Sequence, residues 1–202
     1  RDESNKRTQY TFDVNNLCIE QVFSDEKVTK TYNEYYLPET VTTKVGSLTK
    51  TESYTYDSKG NVLTYTNPEG NVTTCTYSQY YGQLLSKTFG NLRVENTLSQ
   101  DNKSVSKVEK YWNNVLVNRT DLTYDAYGNV LTETEYIYPG TNTRTITYSY
   151  ADNVTRPQGV DYSGMFVTSK TITGVKDADN QNVGTITASN TYDMLGRVLS
   201  ST

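Results

Sequence analysis

Tyr56-Asp57-Ser58-Lys59-Gly60-Asn61-Val62-Leu63-Thr64 is the stretch that decides the fold. It recurs as Tyr124-Asp125-Ala126-Tyr127-Gly128-Asn129-Val130-Leu131-Thr132 and again as Tyr192-Asp193-Met194-Leu195-Gly196-Arg197-Val198-Leu199-Ser200, evenly spaced at 68 residues. Internal self-similarity of this kind marks a repeat architecture. Each residue of the motif has a mechanical reason. Asp at the first turn position accepts hydrogen bonds from the backbone just ahead, two ordinary residues take a type I turn, and Gly supplies the positive φ that closes a bulged hairpin. Asn67-Pro68-Glu69-Gly70 follows the same logic, with Pro where its fixed φ is already suitable. Strands are expected at Asn61 to Thr66 and Asn71 to Tyr77, so the unit is strand, turn, strand, turn.

Weaker copies lie at residues 12–19, Phe12-Asp13-Val14-Asn15-Asn16-Leu17-Cys18-Ile19, where Asn replaces Gly, and at residues 77–86, where one extra residue precedes Gly82. Tyr77 follows Tyr56 by 21 residues, so 68 is about three units with irregular loops. Alternation supports strands. In Thr143-Arg144-Thr145-Ile146-Thr147-Tyr148-Ser149-Tyr150 the apolar and aromatic residues fall on every second position, which places them on one face. Tyr54 and Tyr56 share a face with Thr55 opposite, and Leu122 and Tyr124 repeat the arrangement.

Composition agrees with an extended β structure. Only 34% of the 202 residues are hydrophobic, yet 19 are Tyr, and disordered chains are poor in aromatics. Tyr and the abundant Thr suit a pleated, half-buried surface, so a tyrosine ladder is expected to stand in for a thick aliphatic core. The expected fold class is all-β: consecutive antiparallel hairpins in one large curved or spiralling sheet of 14–18 short strands, a single array over residues 1–202. The chain opens at Arg1 without Met and stops at Thr202 directly after a strand-like segment, so both ends are expected to be cuts in a longer parent.

The Tyr-Asp-x-x-Gly-Asn/Arg-Val-Leu copies, with Asn-Pro-Glu-Gly-Asn and a later Tyr, resemble the YD repeats of the rearrangement-hotspot (RHS) family of bacterial wall-associated and polymorphic toxin proteins and animal teneurins. Clear copies cover about a third of the chain; residues 89–110 and 151–182 hold none, and the cap and self-cleavage region of such proteins is absent. The resemblance implies a β-sheet spiralling into a hollow shell, which in bacterial members often encloses a C-terminal toxin. The implied role is a non-catalytic scaffold in a secreted or cell-surface protein, its partner the parent's own C-terminal effector domain. The alternative is an adhesion or carbohydrate-binding module whose partner is a cell-surface glycan or protein.

Little in the sequence suggests chemistry. The net charge of −4 gives no footprint for nucleic acid or anionic lipid, and no apolar run approaches the roughly 18 residues of a membrane-spanning helix. The chain has no His, which removes the usual nucleophile systems and His-based zinc sites. A glycosidase pair of carboxylates would survive that filter, but Asp57, Asp125 and Asp193 are each explained by a turn. No cofactor, metal or catalytic residue is therefore expected. The site residues are structural: Tyr56, Asp57, Gly60, Tyr124, Asp125, Gly128, Tyr192, Asp193 and Gly196. Asp177-Ala178-Asp179-Asn180-Gln181-Asn182 has alternating oxygen ligands but lacks the Gly and Glu of a calcium loop, and reads as a polar hairpin. Trp112, the only tryptophan, stands before Asn113-Asn114 and reads as packing against a neighbouring strand, with a sugar contact as the competing reading. Cys18 and Cys75 sit in strand-like surroundings and leave the redox compartment open. Sequons at Asn71, Asn102, Asn118 and Asn153 are of the number chance supplies in a chain so rich in Asn and Thr.

Overall fold

The computed structural model describes residues 7–137, 142–150, 166–176, 181–193 and 196–202. Sixteen antiparallel strands form one sheet in chain order, and the described residues contain no helix. The chain divides into two compact units, residues 1–93 and 94–202.

The first unit carries β1 (Thr8–Phe12), β2 (Cys18–Phe23), β3 (Glu26–Tyr32), β4 (Pro38–Val45), β5 (Leu48–Tyr56), β6 (Val62–Thr66), β7 (Val72–Tyr77) and β8 (Leu84–Phe89). After β9 (Leu92–Leu98), the second unit carries β10 (Val105–Trp112), β11 (Val115–Tyr124), β12 (Val130–Ile137), β13 (Thr143–Ser149), β14 (Ser169–Thr173), β15 (Ile186–Tyr192) and β16 (Val198–Ser201). The sixteen strands fall inside the expected range, β6 and β7 occupy the segments that their flanking turns marked out, and β13 the one whose alternation suggested it.

Period-two alternation gives each unit two chemically different faces. One face is hydroxylic. Across it Thr31 meets Thr40 at 2.7 Å, Thr42 meets Thr51 at 3.0 Å and Thr55 meets Thr64 at 2.7 Å. In the second unit Thr123 meets Thr132 at 2.6 Å and Thr191 meets Ser200 at 2.7 Å. These pairs hold register, because a one-residue slip would replace each partner with a residue of the other face. The opposite face carries the tyrosines and aliphatic side chains: Tyr54 lies against Tyr65 with ring centroids 5.1 Å apart and beside Tyr56 at 6.4 Å.

The core is correspondingly thin. Among the described residues only Ile146, Thr73 and Ser78 are buried, and the largest apolar side chain among them, Ile146, retains 8% exposure. Among the described residues nothing forms a second layer in either unit. The sheet is held by strand-to-strand neighbours, as in other repeat structures.

Candidate functional site

Antiparallel hairpins put alternate turns at opposite edges of each unit, and the two edges are built differently. The loops after β1, β3, β5 and β7 in the first unit, and those before β10, β12 and β16 in the second, form the motif edge. Asp57 shows how it is made. Its N–H donates to the Asn61 carbonyl at 2.9 Å and its carbonyl accepts from Gly60 N–H at 3.1 Å, while Gly60 takes φ 85°. Asp57 Oδ1 accepts the Lys59 and Asn61 N–H groups, both at 2.9 Å, and Oδ2 accepts from Asn61 Nδ2 at 2.9 Å. The extra residue shifts the ladder between Thr55 and Tyr56, which is the bulge that accompanies a type I turn closed by a left-handed residue.

The same arrangement holds at Asp125, with Gly128 at φ 88° and Oδ1 accepting from Tyr127 and Asn129, both at 2.9 Å. At Asp193, Gly196 takes φ 79°, and Arg197 replaces Asn and donates from Nε to Oδ2 at 2.6 Å. Three turns with weaker sequence signals use the same device. Asp13 accepts from Asn15 and Leu17, with Asn16 at φ 62°. Asn33 accepts from Tyr35 and Leu37, with Tyr36 at φ 63° in the place of glycine. Ser78 serves the six-residue loop, its Oγ donating to Gln83 Oε1 at 2.7 Å. Asn33 and the Ser99–Ser104 turn went unread in the sequence, although Asn or Ser after Tyr32 or Leu98 carried the same hydrogen-bonding capacity as Asp.

The carboxylates titrate as their partners require. Asn61's side-chain donor, backed by the Asn61 and Lys59 amides, holds the Asp57 carboxyl below the usual carboxylate range. Asn129 does the same for Asp125, and the Ser99 hydroxyl for Asp101.

Tyrosines at strand ends along this edge act on the neighbouring strand. Strands β2 and β3 are joined at the far edge, so at the motif edge their ends are free. Tyr32, the last residue of β3, closes that mouth by donating its hydroxyl to the carbonyl of Cys18, the first residue of β2, at 2.8 Å. Tyr56 donates to Pro38 at 2.7 Å, Tyr124 to Val105 at 2.7 Å, Tyr150 to Val130 at 2.9 Å and Tyr192 to Val167 at 2.7 Å. Burial is the main cause that raises the hydroxyl pKa of Tyr32, Tyr56, Tyr124 and Tyr150. Tyr54 is pushed up to about 12, by burial first and then by its bond to Glu52.

At the opposite edge, two-residue loops lie at Ser24-Asp25, Gly46-Ser47, Gly90-Asn91 and Asn113-Asn114, each opening on a positive φ, while the β14–β15 connection, residues 174–185, is longer. The two-residue loop is the tight-hairpin form whose twist matches the strands. Among the described residues of that edge, the β6–β7 loop at Asn67–Asn71 repeats the motif geometry. Trp112 pairs with Val115 across the Asn113-Asn114 loop and is 53% exposed, so it is not packed away against a neighbouring strand.

Two hollows accompany the motif edge. One of about 680 Å³ is lined by residues of the Ser99–Ser104 and Asp125–Gly128 turns with Leu98, Leu122 and Tyr124, and one of about 220 Å³ lies between the β5–β6 and β7–β8 turns. No group of three or more His, Cys, Asp or Glu comes together among the described residues. Residues 177–180 of the calcium-like loop and the sequon at Asn153 lie outside the described residues. Cys18 and Cys75 are free thiols. They sit on β2 and β7, five strand steps or roughly 24 Å apart, beyond the reach of a disulfide. The Asn118 side chain donates to Glu135 at 3.2 Å.

Neither a protein-family model nor a curated protein sequence matches the chain. Solved structures do. The chain is similar to the crystal structures of TcdB2-TccC3 without hypervariable C-terminal region (TM-score 0.70, 16% identity), TcdB2-TccC3-Cdc42 (0.69, 15%) and TcdB2-TccC3 (0.70, 14%). Each match covers 93% of this chain and 10% of the other. At this identity the likeness establishes a shared fold, over a stretch that makes up a tenth of each of those chains.

Proposed function

We infer that the chain is a length of wall from an RHS-type β-shell. It is a non-catalytic scaffold, a single repeat array over residues 1–202, that helps enclose a C-terminal effector domain of its own secreted or surface-attached parent. The observation that carries this reading is the fold match over 93% of the chain at a TM-score of 0.70. The thin core supports it, because a sheet without a second layer is suited to be a partition. The motif residues Tyr56, Asp57, Gly60, Tyr124, Asp125, Gly128, Tyr192, Asp193 and Gly196 are the joinery of that wall.

The test is to read the parent gene in frame beyond Thr202 and to purify its product. Further Tyr-Asp-x-x-Gly copies leading into an unrelated compact domain, protease-resistant only while the repeats are intact, are the expected result. A repeat array ending in a cell-wall anchor with no such domain would overturn enclosure and put adhesion first. The exposure of Trp112 favours adhesion as the second reading; its mark would be saturable binding on a glycan array that Trp112→Ala abolishes.

A further inference from the structure

We propose that Tyr54 and Tyr65 form an oxidative cross-linking site: a one-electron oxidant converts both phenols to phenoxyl radicals, which couple into a dityrosine link between β5 and β6, with Glu52 as the base that takes their protons. The inference goes beyond the shell reading and does not depend on it. It rests on three side chains of one face. Tyr54 and Tyr65 stand directly opposite each other across the two strands, with ring centroids 5.1 Å apart. Glu52 lies two residues before Tyr54 and so on the same face. Its carboxylate accepts from both phenols, the Tyr54 hydroxyl donating to Oε2 at 3.0 Å and the Tyr65 hydroxyl to Oε1 at 2.9 Å.

The acceptor sets this pair apart from the tyrosines of the motif edge. Tyr32, Tyr56, Tyr124, Tyr150 and Tyr192 donate to backbone carbonyls, which fix a hydroxyl but cannot hold its proton. A carboxylate can. Oxidation makes a phenol a far stronger acid, so loss of the electron is eased where a base already stands within hydrogen-bond reach, the distance condition that any general base has to meet. Ring packing alone does not call for this arrangement, since Phe would serve the ring contact equally well. The acidities agree. Burial and then the bond to Glu52 push Tyr54 up to about 12, and the bond to Glu52 is the first cause that raises Tyr65. Both hydroxyls therefore keep their protons at neutral pH, and oxidation has to move proton and electron together.

The geometry also suits the new bond. Two hydroxyls held on one carboxylate bring together the ring edges beside them, and the carbons that couple are those next to the hydroxyl-bearing ones. The pairs along a single strand are more widely spaced: Tyr54 and Tyr56 lie 6.4 Å apart and Tyr148 and Tyr150 6.5 Å. In the step each phenol gives one electron to the oxidant, such as the ferryl haem of a peroxidase, and its hydroxyl proton through Glu52 to water. The radicals join carbon to carbon, and the hydrogen on each joined carbon moves to the ring oxygen as aromaticity returns. The chain ends lighter by two hydrogen atoms, two equivalents of oxidant are each reduced by one electron, and two neighbouring strands of a sheet with a thin core are stapled covalently.

Photo-oxidation of the 202-residue chain in dilute solution, with ruthenium trisbipyridyl and persulfate as the one-electron oxidant, tests the proposal. Trypsin cuts after Lys50, Lys59 and Lys87 and so separates Tyr54 from Tyr65. The expected product is monomeric and shows dityrosine fluorescence, and its digest contains residues 51–59 joined to residues 60–87 with two hydrogen atoms missing. Tyr54→Phe and Tyr65→Phe should each remove that linked peptide. Glu52→Gln keeps an acceptor oxygen but no base, and should lower the yield of the link about tenfold or more with unchanged far-ultraviolet circular dichroism and unchanged oxidation of the other tyrosines. Absence of the linked peptide from the parent chain would overturn the proposal, as would its survival in either Phe variant or its full yield in Glu52→Gln.

Discussion

The two edges of the sheet solve the same problem, reversing a strand, with different chemistry. At the tight-turn edge two residues suffice: Asn113 and Asn114 take φ 50° and 63° and the ladder closes on Trp112 and Val115. At the motif edge the loop is longer, its carboxylate or amide oxygen collects the loop amides, and a tyrosine hydroxyl ties in the strand of the preceding hairpin. The short turn is a local device that any isolated hairpin could use. The motif turn is a joint between hairpins, and this is why it, and not the short turn, is written repeatedly and at even spacing. A thin sheet gains little from burial, so its stability has to come from such joints.

Substitutions at glycine should separate local geometry from neighbour contact most strongly. Gly128 and Gly196 share nearly the same φ, but a Cβ at Gly128 would meet nothing within 4 Å whereas one at Gly196 would run into the Phe166 ring. Gly128→Ala should therefore cost about 1 kcal/mol, the backbone penalty alone, and Gly196→Ala about 3 kcal/mol once the clash is added, read as shifts in urea midpoint. Gly128→Val should likewise cost more than Lys59→Val; equal melting temperatures for those two would break the assignment of positive φ to the fourth turn position.

The tyrosine joint comes next. Tyr56→Phe and Tyr124→Phe each remove one hydrogen bond to a strand carbonyl while keeping the ring, so each should cost about 1 kcal/mol. Tyr35→Phe and Tyr80→Phe, at loop tips of the same edge, should leave monomer stability unchanged. Equal losses at all four positions would mean that the hydroxyl bonds do not distinguish the joint.

Acid sharpens the comparison further. Asp57, Asp101 and Asp125 have carboxyl pKa values lowered in the fold. A lowered pKa means that the unfolded chain binds the proton more readily, so the contribution is fully present above the unfolded carboxylate value of about 4 and is lost as pH falls through the folded one. Thermal stability should accordingly fall below about pH 4. Asp57→Asn with Asp125→Asn should flatten that acid limb and lower stability at neutral pH, because the amide oxygen keeps the loop bonds, as at Asn33 and Asn67, but an amide nitrogen would face the Asn61 and Asn129 donors that Oδ2 now accepts.

The smallest effect belongs to the tight-turn edge. Asn113→Gly relieves a positive φ but loosens the unfolded chain, so its melting temperature should stay close to that of the parent. A change comparable to Gly196→Ala would show that the short turns also join hairpins.

Much of this organisation was legible in the sequence. Asp-x-x-Gly is read locally, since a turn is specified by residues that lie within it, and alternation assigns a residue to a face without knowledge of any partner. Asn33 escaped because Tyr36 occupies the position where Gly would have announced the turn, and the turn at Ser99 escaped for the same kind of reason, with Asn102 at φ 59°. Trp112 was read toward packing, but it stands beside the tight Asn113-Asn114 loop and is half exposed.

The sequence by itself determined the repeat, the strand alternation, the chemistry of the motif turns and the poverty of the core, because each depends on residues near in the chain. Only the tertiary structure decided what the motif tyrosine does. Its acceptor lies 14 residues back from Tyr32, 18 from Tyr56 and 25 from Tyr192, a separation that changes with every loop length and so has no sequence period. The same is true of the space beside each glycine. These are properties of strands brought side by side, and the spacing between strands is a distance in space that the order of residues does not record.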